Sequence, residues 1–588
     1  MLDPRIYRMG LVPVVLAVIV LAFSLNDQQG GLGTNLAPAA YSGGYAYATM
    51  NTLANAYPHR RPGSPGDRAL ASYIAGQFRG DGFTVSTDSF LGRTVDGSRS
   101  LENVVGVRAG LTAGSIVVVA DRSSLRSPDR VGLSGTAVLL ELARLISGET
   151  QQRTIVLAST SGSAGAAGAV RLAKTLQQPV DAVIALGDMA GTSLREPLVV
   201  PWSNGQDVAP PVLRNTMAAA LAAQTSLPAG STGLAGQIAH LAFPMAASEQ
   251  APFGDSGDPA VLLSTSSEQG PAANESTSLG SISGFGAAVT QAISALDSGP
   301  ELQAPSSYLS FDGKSIPAWA VRFLVLTMIV AVLGATIDGL ARARRRGHPI
   351  TRWVVWVLSA ALPFALAALV VFGANVAGLI GSAPPGPVGG GALTLHGGAI
   401  ALLAVVALVI LVGGLWLRPL IVRAIALGPG PFEPYGAGAA AGLLLVLTVV
   451  ALALWVTNPF AALLLVPALH LWMWIVVPDV RVPTPAMIML LLAGLAAPVL
   501  IALYYAVSLG LDPAQLAWSW VLLLAGGAVG LVSALEWSIV VGCALSVIAI
   551  AVRAARQPRP EPVPVTIRGP VSYAGPGSLG GTKSALRR

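Results

Sequence analysis

The sequence predicts an α/β domain with a mainly parallel central sheet, followed by a polytopic all-α transmembrane bundle. Three observations carry this expectation. The 588 residues are 53% hydrophobic and only 11% charged, with a mean hydropathy of +0.65, whereas ordinary soluble domains hold about 25% charged residues. The apolar content is uneven: charges and turns are spread normally through 26–315 but are sparse in 316–552. Within the first region, short Val/Ile-rich runs alternate with helical stretches, which is the pattern of strands buried on both faces of a parallel sheet.

The elements follow in order. GLVPVVLAVIVLAFSL (10–25) comes after Arg5 and Arg8 and ends without a small-x-small cleavage site, so 1–25 reads as an uncleaved N-terminal anchor. The two arginines put the N-terminus in the cytoplasm and 26–315 outside. After a small-residue linker (26–44), Ser64 caps a helix, Pro65 takes its first position and Asp67 closes a capping box. Leu70, Tyr73, Ile74 and Phe78 then form its buried face. Strands are expected at 83–90, 103–110, 115–120, 154–160, 180–190 and 260–265, and helices at 136–146, 164–176 and 281–298. The domain spans 45–300, and 301–315 is a linker.

From Ile316 the apolar runs reach the roughly 20 residues a bilayer crossing needs. Spans are expected at 316–338, 353–380, 398–417, 437–456, 460–477 and 486–508, with one or two more in 515–552, giving seven or eight across 316–552. Alternate crossings return Arg342, Arg344, Arg345, Arg346, Arg418, Arg423 and Arg481 to the cytoplasm. Arg553, Arg556 and Arg559 join them if 515–552 holds one crossing and a re-entrant piece; two crossings place them outside. Trp319, Trp353, Trp455, Trp472, Trp518 and Trp520 fit an interfacial belt. The basic, Pro/Gly-rich tail 553–588 is expected to be disordered. The chain is thus a multi-pass protein of a plasma (inner) membrane, and its Arg-heavy, Lys-poor, Ala/Gly-rich usage fits a high-GC bacterium.

The single cysteine, Cys543, excludes a disulfide framework and Cys-based zinc sites. The net charge of +6 comes largely from arginines flanking spans, which is membrane topology, not nucleic-acid binding. Sites above a parallel sheet form at the carboxyl ends of strands, so the loops after 120, 160, 190 and 265 matter most. The polar inventory there is Asp121, Asp129, Asp188, Asp255 and Asp258, with His59 and His240 the domain's imidazoles.

The segments RRPGSPGDRALASYIAGQF, ENVVGVRAG, IVVVA before SGTAVLLELAR, RTIVLASTSG before GAAGA, VIALGDMAG and APFGDSGDPAVLLS, in this order, resemble the M28 zinc aminopeptidase-like family. The layout is similar to that family's membrane-bound members. The resemblance covers about 45–300 and implies a dinuclear zinc site. Its ligand and base positions fall on Asp121, Val131, Ser163, Ala164 and Asp188, and the family's Ser-Asp-His segment reads Ser248, Glu249, Gln250. Only Asp188 matches. Catalytic zinc needs three protein ligands, an open position for water and a base, which Val131, Ser163 and Ala164 do not supply. The expectation is a pseudopeptidase without zinc or another cofactor, keeping a cleft of Asp121, Asp129, Asp188, Glu249 and Asp255.

Plainer roles stand beside these. Asp188 can cap its own turn, and Asp121 can accept from Arg122 or Arg130. A calcium site of Asp121, Asp129 and Asp188 lacks loop-motif spacing. FGDSGDP (253–259) matches a trypsin-like nucleophile segment, but in an α/β context, and Ser134 suits a helix cap near Thr136. His59 and His240 suit surface or core packing. Within the membrane, His470 and Glu536 are the costly polar groups, while Arg322 and Asp338 lie near span ends. The expected function is binding of a peptide, an envelope component or a partner protein, with the bilayer as the other contact. The alternatives are an active M28-type hydrolase with a relocated site, and a transporter or envelope-assembly component that uses the outer domain as a receptor.

Overall fold

The structure is a computed structural model that describes residues 4–33, 41–381, 383–428, 437–476 and 482–556. Arg481, Arg559 and most of the expected disordered tail lie outside these residues. A seven-stranded sheet runs in the order β2-β3-β5-β4-β6-β8-β7. Its strands are β2 (Thr84–Thr94), β3 (Gly97–Arg108), β4 (Ser115–Asp121), β5 (Thr154–Thr160), β6 (Val180–Leu186), β7 (Val199–Val200) and β8 (Ala260–Leu263). The four central strands are parallel, but β2, β3 and β7 run antiparallel, so the sheet is mixed where a mainly parallel one was expected. The central strands are buried almost throughout, whereas edge strand β2 is largely exposed, as its alternating Thr/Ser/Asp content requires.

Helices Gly43–Ala56, Pro65–Gly80, Ser134–Ile146, Pro211–Thr225 and Leu279–Ser298 enclose one core with the sheet, and Ala167–Thr175 covers the other face. The Pro65–Gly80 helix starts as its sequence dictates: Ser64 Oγ accepts from the Asp67 N–H at 3.3 Å. Asp67 reaches one residue further back than a capping box, accepting from the Gly63 N–H at 2.8 Å. Leu70, Ala71, Ile74 and Phe78 are buried, but Tyr73, five residues before Phe78, points to the flank and is exposed.

The expected linkers carry structure. Residues 26–27 form β1 and 308–317 form a hairpin of β9 (Tyr308–Phe311) and β10 (Lys314–Pro317), joined in the order β1-β10-β9. Asp312 and Gly313, both at positive φ, make the two-residue turn. This sheet ties the exit of the first helix to the entry of the bundle.

Among the described residues, eight helices are long and apolar enough to cross a membrane. One of them, Leu279–Ser298, packs instead in the α/β core against the helices at 43–56 and 211–225. The other seven are Ala318–Arg345, Ile350–Val376, Gly397–Ala426, Gly438–Thr457, Pro459–Val476, Thr484–Ser508 and Leu531–Arg556. The N-terminal segments Pro4–Met9 and Leu11–Phe23 pack against Ala318–Arg345. Pro513–Gly526, at 14 residues, is too short to cross alone, and both its ends meet the α/β side: Gln515 Nε2 donates to Gly390 O at 3.2 Å and Arg93 Nη2 to Gly526 O at 3.1 Å. Trp353, Trp472 and Trp518 are buried inside the bundle, so of the expected belt only Trp319 and Trp520 are exposed. The apolar bundle core continues into the α/β domain through Trp202, Leu241, Met245 and Leu262.

At the sheet's carboxyl edge, Arg122 turns inward and pairs with Asp67 at 2.9 Å, both side chains essentially inaccessible. It also donates to Ser159 O at 3.0 Å and Glu102 O at 2.6 Å, while Ser161 Oγ donates to Asp67 at 2.6 Å. Replacing Arg122 with Met strands a buried carboxylate and is expected to lower stability by about 3–5 kcal/mol. Denaturant unfolding of the full chain in detergent measures this; a loss under about 1 kcal/mol, the worth of a surface pair, would contradict the assignment.

Candidate functional site

The side chains that follow the parallel strands converge on a cavity of about 220 Å³. Alternation along β4 decides which face each group takes. Arg122 enters the core, and Asp121, one residue earlier, faces the cavity. Asp121 accepts from the Ser123 N–H at 3.3 Å and its hydroxyl at 3.1 Å, not from Arg122 or Arg130. The same hydroxyl accepts from the Gly162 N–H at 2.9 Å, linking the β4 and β5 loops.

Glu249 enters from the loop before the Ala251–Asp255 helix and accepts from Thr160 Oγ1 at 2.8 Å. Burial pushes its carboxyl up to about 7. Burial first, then the charge of Glu249, raises Asp121 well above the usual carboxylate range. Asp188 behaves as a turn cap, with Oδ1 accepting from the Ala190 N–H at 3.0 Å and the Gly191 N–H at 2.8 Å. Asp129 is held by Ser124 Oγ at 2.7 Å, the Gly132 N–H at 3.0 Å and Arg60 at 3.4 Å. Ser163 and Ala164 line the wall, and Val131 is buried in the turn below Gly132.

Asp255 and Asp258 are not part of this cleft. They precede β8, at the opposite edge of the sheet from the strand ends, with Asp255 beside Gly205 and Asp258 accepting from Gln178 Nε2 at 3.1 Å. Ser256 of the FGDSGDP stretch donates to Pro252 O at 3.0 Å. Ser134 opens its helix two residues earlier than expected and bridges Val131 O, at 2.5 Å, and the Met189 N–H, at 2.9 Å. His59 meets Ser127 Oγ at 2.7 Å on the surface.

Glu268, in the loop after β8, was not singled out by sequence. It lines the cavity, and burial pushes it up to about 8. Behind it stands His240, 3.6 Å away, stacked on Trp202 at 4.7 Å and edge-on to Tyr504 and Tyr505 of the bundle. Burial pushes this imidazole down to about 3, so both groups are neutral near pH 7. The roof also comes from the bundle: Val388, Gly389, Gly391 and Ala392 close the cavity from above. Gly390 permits this, because a Cβ there would lie 2.0 Å from the Gly510 carbonyl oxygen. The intramembrane candidates lie elsewhere: His470 Nδ1 meets Tyr7 OH at 2.7 Å, and Glu536 sits on Leu531–Arg556.

Among the described residues, no three His, Cys, Asp or Glu side chains group as metal ligands. One oxygen of Asp188 and one of Asp129 accept from backbone N–H groups, Asp121 and Glu249 accept from hydroxyls, and among the described residues no imidazole lines the cavity.

The shifted groups set a pH dependence. A carboxyl whose folded pKa is raised contributes stability that is full below its ordinary value of 4.5 and drains as pH rises, to about 7 for Glu249 and about 8 for Glu268. His240 acts oppositely, adding stability as pH rises from about 3 to 6.5. Above 6.5 only the carboxyl losses remain. The full chain is expected to melt at a lower temperature at pH 8 than at 6.5, and Glu268→Gln to flatten that fall. An unchanged slope in the variant, read by thermal melts at both values, would refute the role given to Glu268.

No family model matches this chain, and no curated protein does. Among solved structures it is similar to a glutaminyl cyclase from an Acidobacteriales bacterium, at 18% identity over 46% of this chain and 99% of that one, with a TM-score of 0.37. It is also similar to a leucine aminopeptidase precursor from Bacteroides thetaiotaomicron (13% identity, 44% and 98% coverage, TM-score 0.36). A zinc aminopeptidase from Bacillus subtilis matches at 12% identity, with 43% and 95% coverage and a TM-score of 0.36.

Proposed function

We propose that this is a multi-pass plasma-membrane protein of a bacterium whose extracytoplasmic, M28-peptidase-like domain does not run zinc hydrolysis and instead binds a cationic group, as on a peptide or envelope component. The observation that carries the reading is the cleft itself. Glu249 Oε1 and Glu268 Oε1 are buried without hydrogen-bond partners around the cavity that Asp188 also lines, and orphaned carboxyl oxygens of this kind call for a donor. Ser163, Ala164 and Val131 supply neither a base nor a ligand. An ammonium offers three donors and favours the ionised carboxylates that burial alone disfavours.

Sidedness is supported by which ends touch. The segments at 383–392, 457–458 and 509–510 all meet the α/β domain or its roof: Asn458 Nδ2 donates to Leu241 O at 2.8 Å, and the Gly390 N–H donates to Leu509 O at 2.8 Å. Arg342–Arg346, Arg418–Arg423 and Arg553–Arg556 fall at the other ends, the cytoplasmic side by the positive-inside rule. With Pro513–Gly526 re-entrant, these three clusters of described arginines obey that rule.

Three outcomes test this. The full chain, purified in detergent with zinc supplied, is expected to retain substoichiometric zinc by elemental analysis and to show no aminopeptidase turnover; stoichiometric zinc with turnover would end the reading. By calorimetry the dipeptide Lys-Ala is expected to bind, and Glu249→Gln with Glu268→Gln to weaken it about tenfold, the effect of losing charged hydrogen bonds. Equal affinity would refute the cleft as its site. Because Cys543 is the sole cysteine and is buried, Arg346→Cys is expected to react with a membrane-impermeant maleimide only in inverted vesicles.

A further inference from the structure

A second and larger void, about 740 Å³, lies between the bundle and the underside of the α/β domain. Its walls are apolar and come from six of the candidate spans, with Phe364, Val371, Leu454, Ile501 and Trp537 representative. Its ceiling is the Asn204–Gln206 turn and the Ala242–Met245 segment. The volume falls within the range of roughly 300–1,000 Å³ typical of pockets that enclose small ligands. Water is a poor filling, because an apolar wall cannot supply the two to four partners a buried water requires. The lining residues Trp520 and Val541 are 37% and 38% exposed, so the chamber is not sealed on their side.

The polar ceiling discriminates further. Among the described residues, no ionisable side chain lines the chamber. Asn458 is consumed by Leu241 O and by the Phe460 and Ala461 N–H groups, and Gln206 Nε2 donates to Thr457 O at 3.0 Å. Asn204 spends only its carbonyl, on the Ala246 N–H at 3.0 Å, which leaves an amide donor for a ligand, and the Ser533 hydroxyl stands on the facing helix. A neutral amide beside a hydroxyl suits hydroxyls and esters; a phosphate would arrive without a countercharge, at a cost in so apolar a site.

We infer that this chamber is a lipid-binding site, holding an acyl chain of a bilayer lipid whose headgroup is uncharged and hydroxyl-bearing, with the polar end under Asn204. The inference needs only the bundle in a membrane and is independent of what the cleft binds.

The test uses the full chain in phosphatidylcholine vesicles doped with a diacylglycerol that carries a diazirine midway along one acyl chain. After irradiation, labelled peptides are mapped by mass spectrometry. Labelling at Leu454, Ile501 and Trp537 is expected to exceed that at the outward-facing Val449 and Leu500, which are 53% and 61% exposed, by about tenfold. Ala368→Trp, which fills the chamber, is expected to remove the inner labelling and spare the outer. Should that variant not fold, the wild-type map alone decides: equal labelling inside and outside overturns the site. A phosphatidylglycerol probe with the same diazirine is expected to label the chamber several-fold less, and Asn204→Leu to narrow that difference. Equal labelling by the two probes overturns the headgroup assignment.

Discussion

The inward turn of Arg122 is the constraint on which the rest of the α/β domain is arranged. A guanidinium inside a sheet edge is tolerable only where its donors are met, and here Asp67 and two strand carbonyls meet them. That single placement fixes three things together: the first turn of the Pro65–Gly80 helix, the ends of β4 and β5, and, by alternation, the outward facing of Asp121. The adjacent Arg60, also fully buried, extends the lock by donating to Arg122 O at 3.0 Å and holding Asp129. The cavity floor is therefore rigid on the side where β4 ends.

The opposite side is built differently. Glu249, Glu268 and His240 are buried titratable groups, each carboxyl keeping one oxygen without a partner, and burial holds them near neutrality. Such groups respond to whatever enters, because a cation would draw out their charge and an apolar filling would not. Glu268 touches both the cleft and His240, and His240 touches Tyr504 and Tyr505 of a candidate span, with Tyr505 OH also donating to Phe243 O at 2.6 Å. A contiguous packed path thus joins the cleft to the bundle.

How much of this could be read beforehand depends on the length of the signal. The four parallel strands were legible because continuous Val/Ile runs admit few other environments. The antiparallel flank was not, since β2 and β3 carry ordinary strand residues whose direction only the short Val95–Asp96 connection decides, and β7 has two residues. The hairpin at 308–317 carried a readable Asp-Gly turn but lay in a stretch too polar to suggest tertiary structure. Asp255 looked like a cleft residue because it neighbours a strand; which end of that strand it flanks is a matter of topology. Trp353 and Trp472 look interfacial by type but fill space against small residues, a Cβ on Gly438 or Gly494 falling about 2.1 Å from their indole nitrogens. Glu268 gave no pattern at all, since its importance arises from the bundle that buries it.

That last case generalises to the whole seam. The α/β domain ends in loops that would be solvated in a free-standing domain, yet Trp202, His240 and Met245 are buried against bundle residues, and the roof at 388–392 belongs to the bundle. Both cavities share this seam: one lies above it and is lined with carboxyls, the other below it and is lined with hydrocarbon. Phe243 and Met245 belong to the lower chamber, while Ala247, Ser248 and Glu249 belong to the upper cleft. The 243–249 strip thus has one end against the hydrocarbon-lined chamber and the other against the carboxyl-lined cleft. The strip is short, begins at the end of the helix that carries His240 and is pinned by Asn204 at Ala246 and by Tyr505 at Phe243. Seven residues of backbone therefore form the wall common to both compartments.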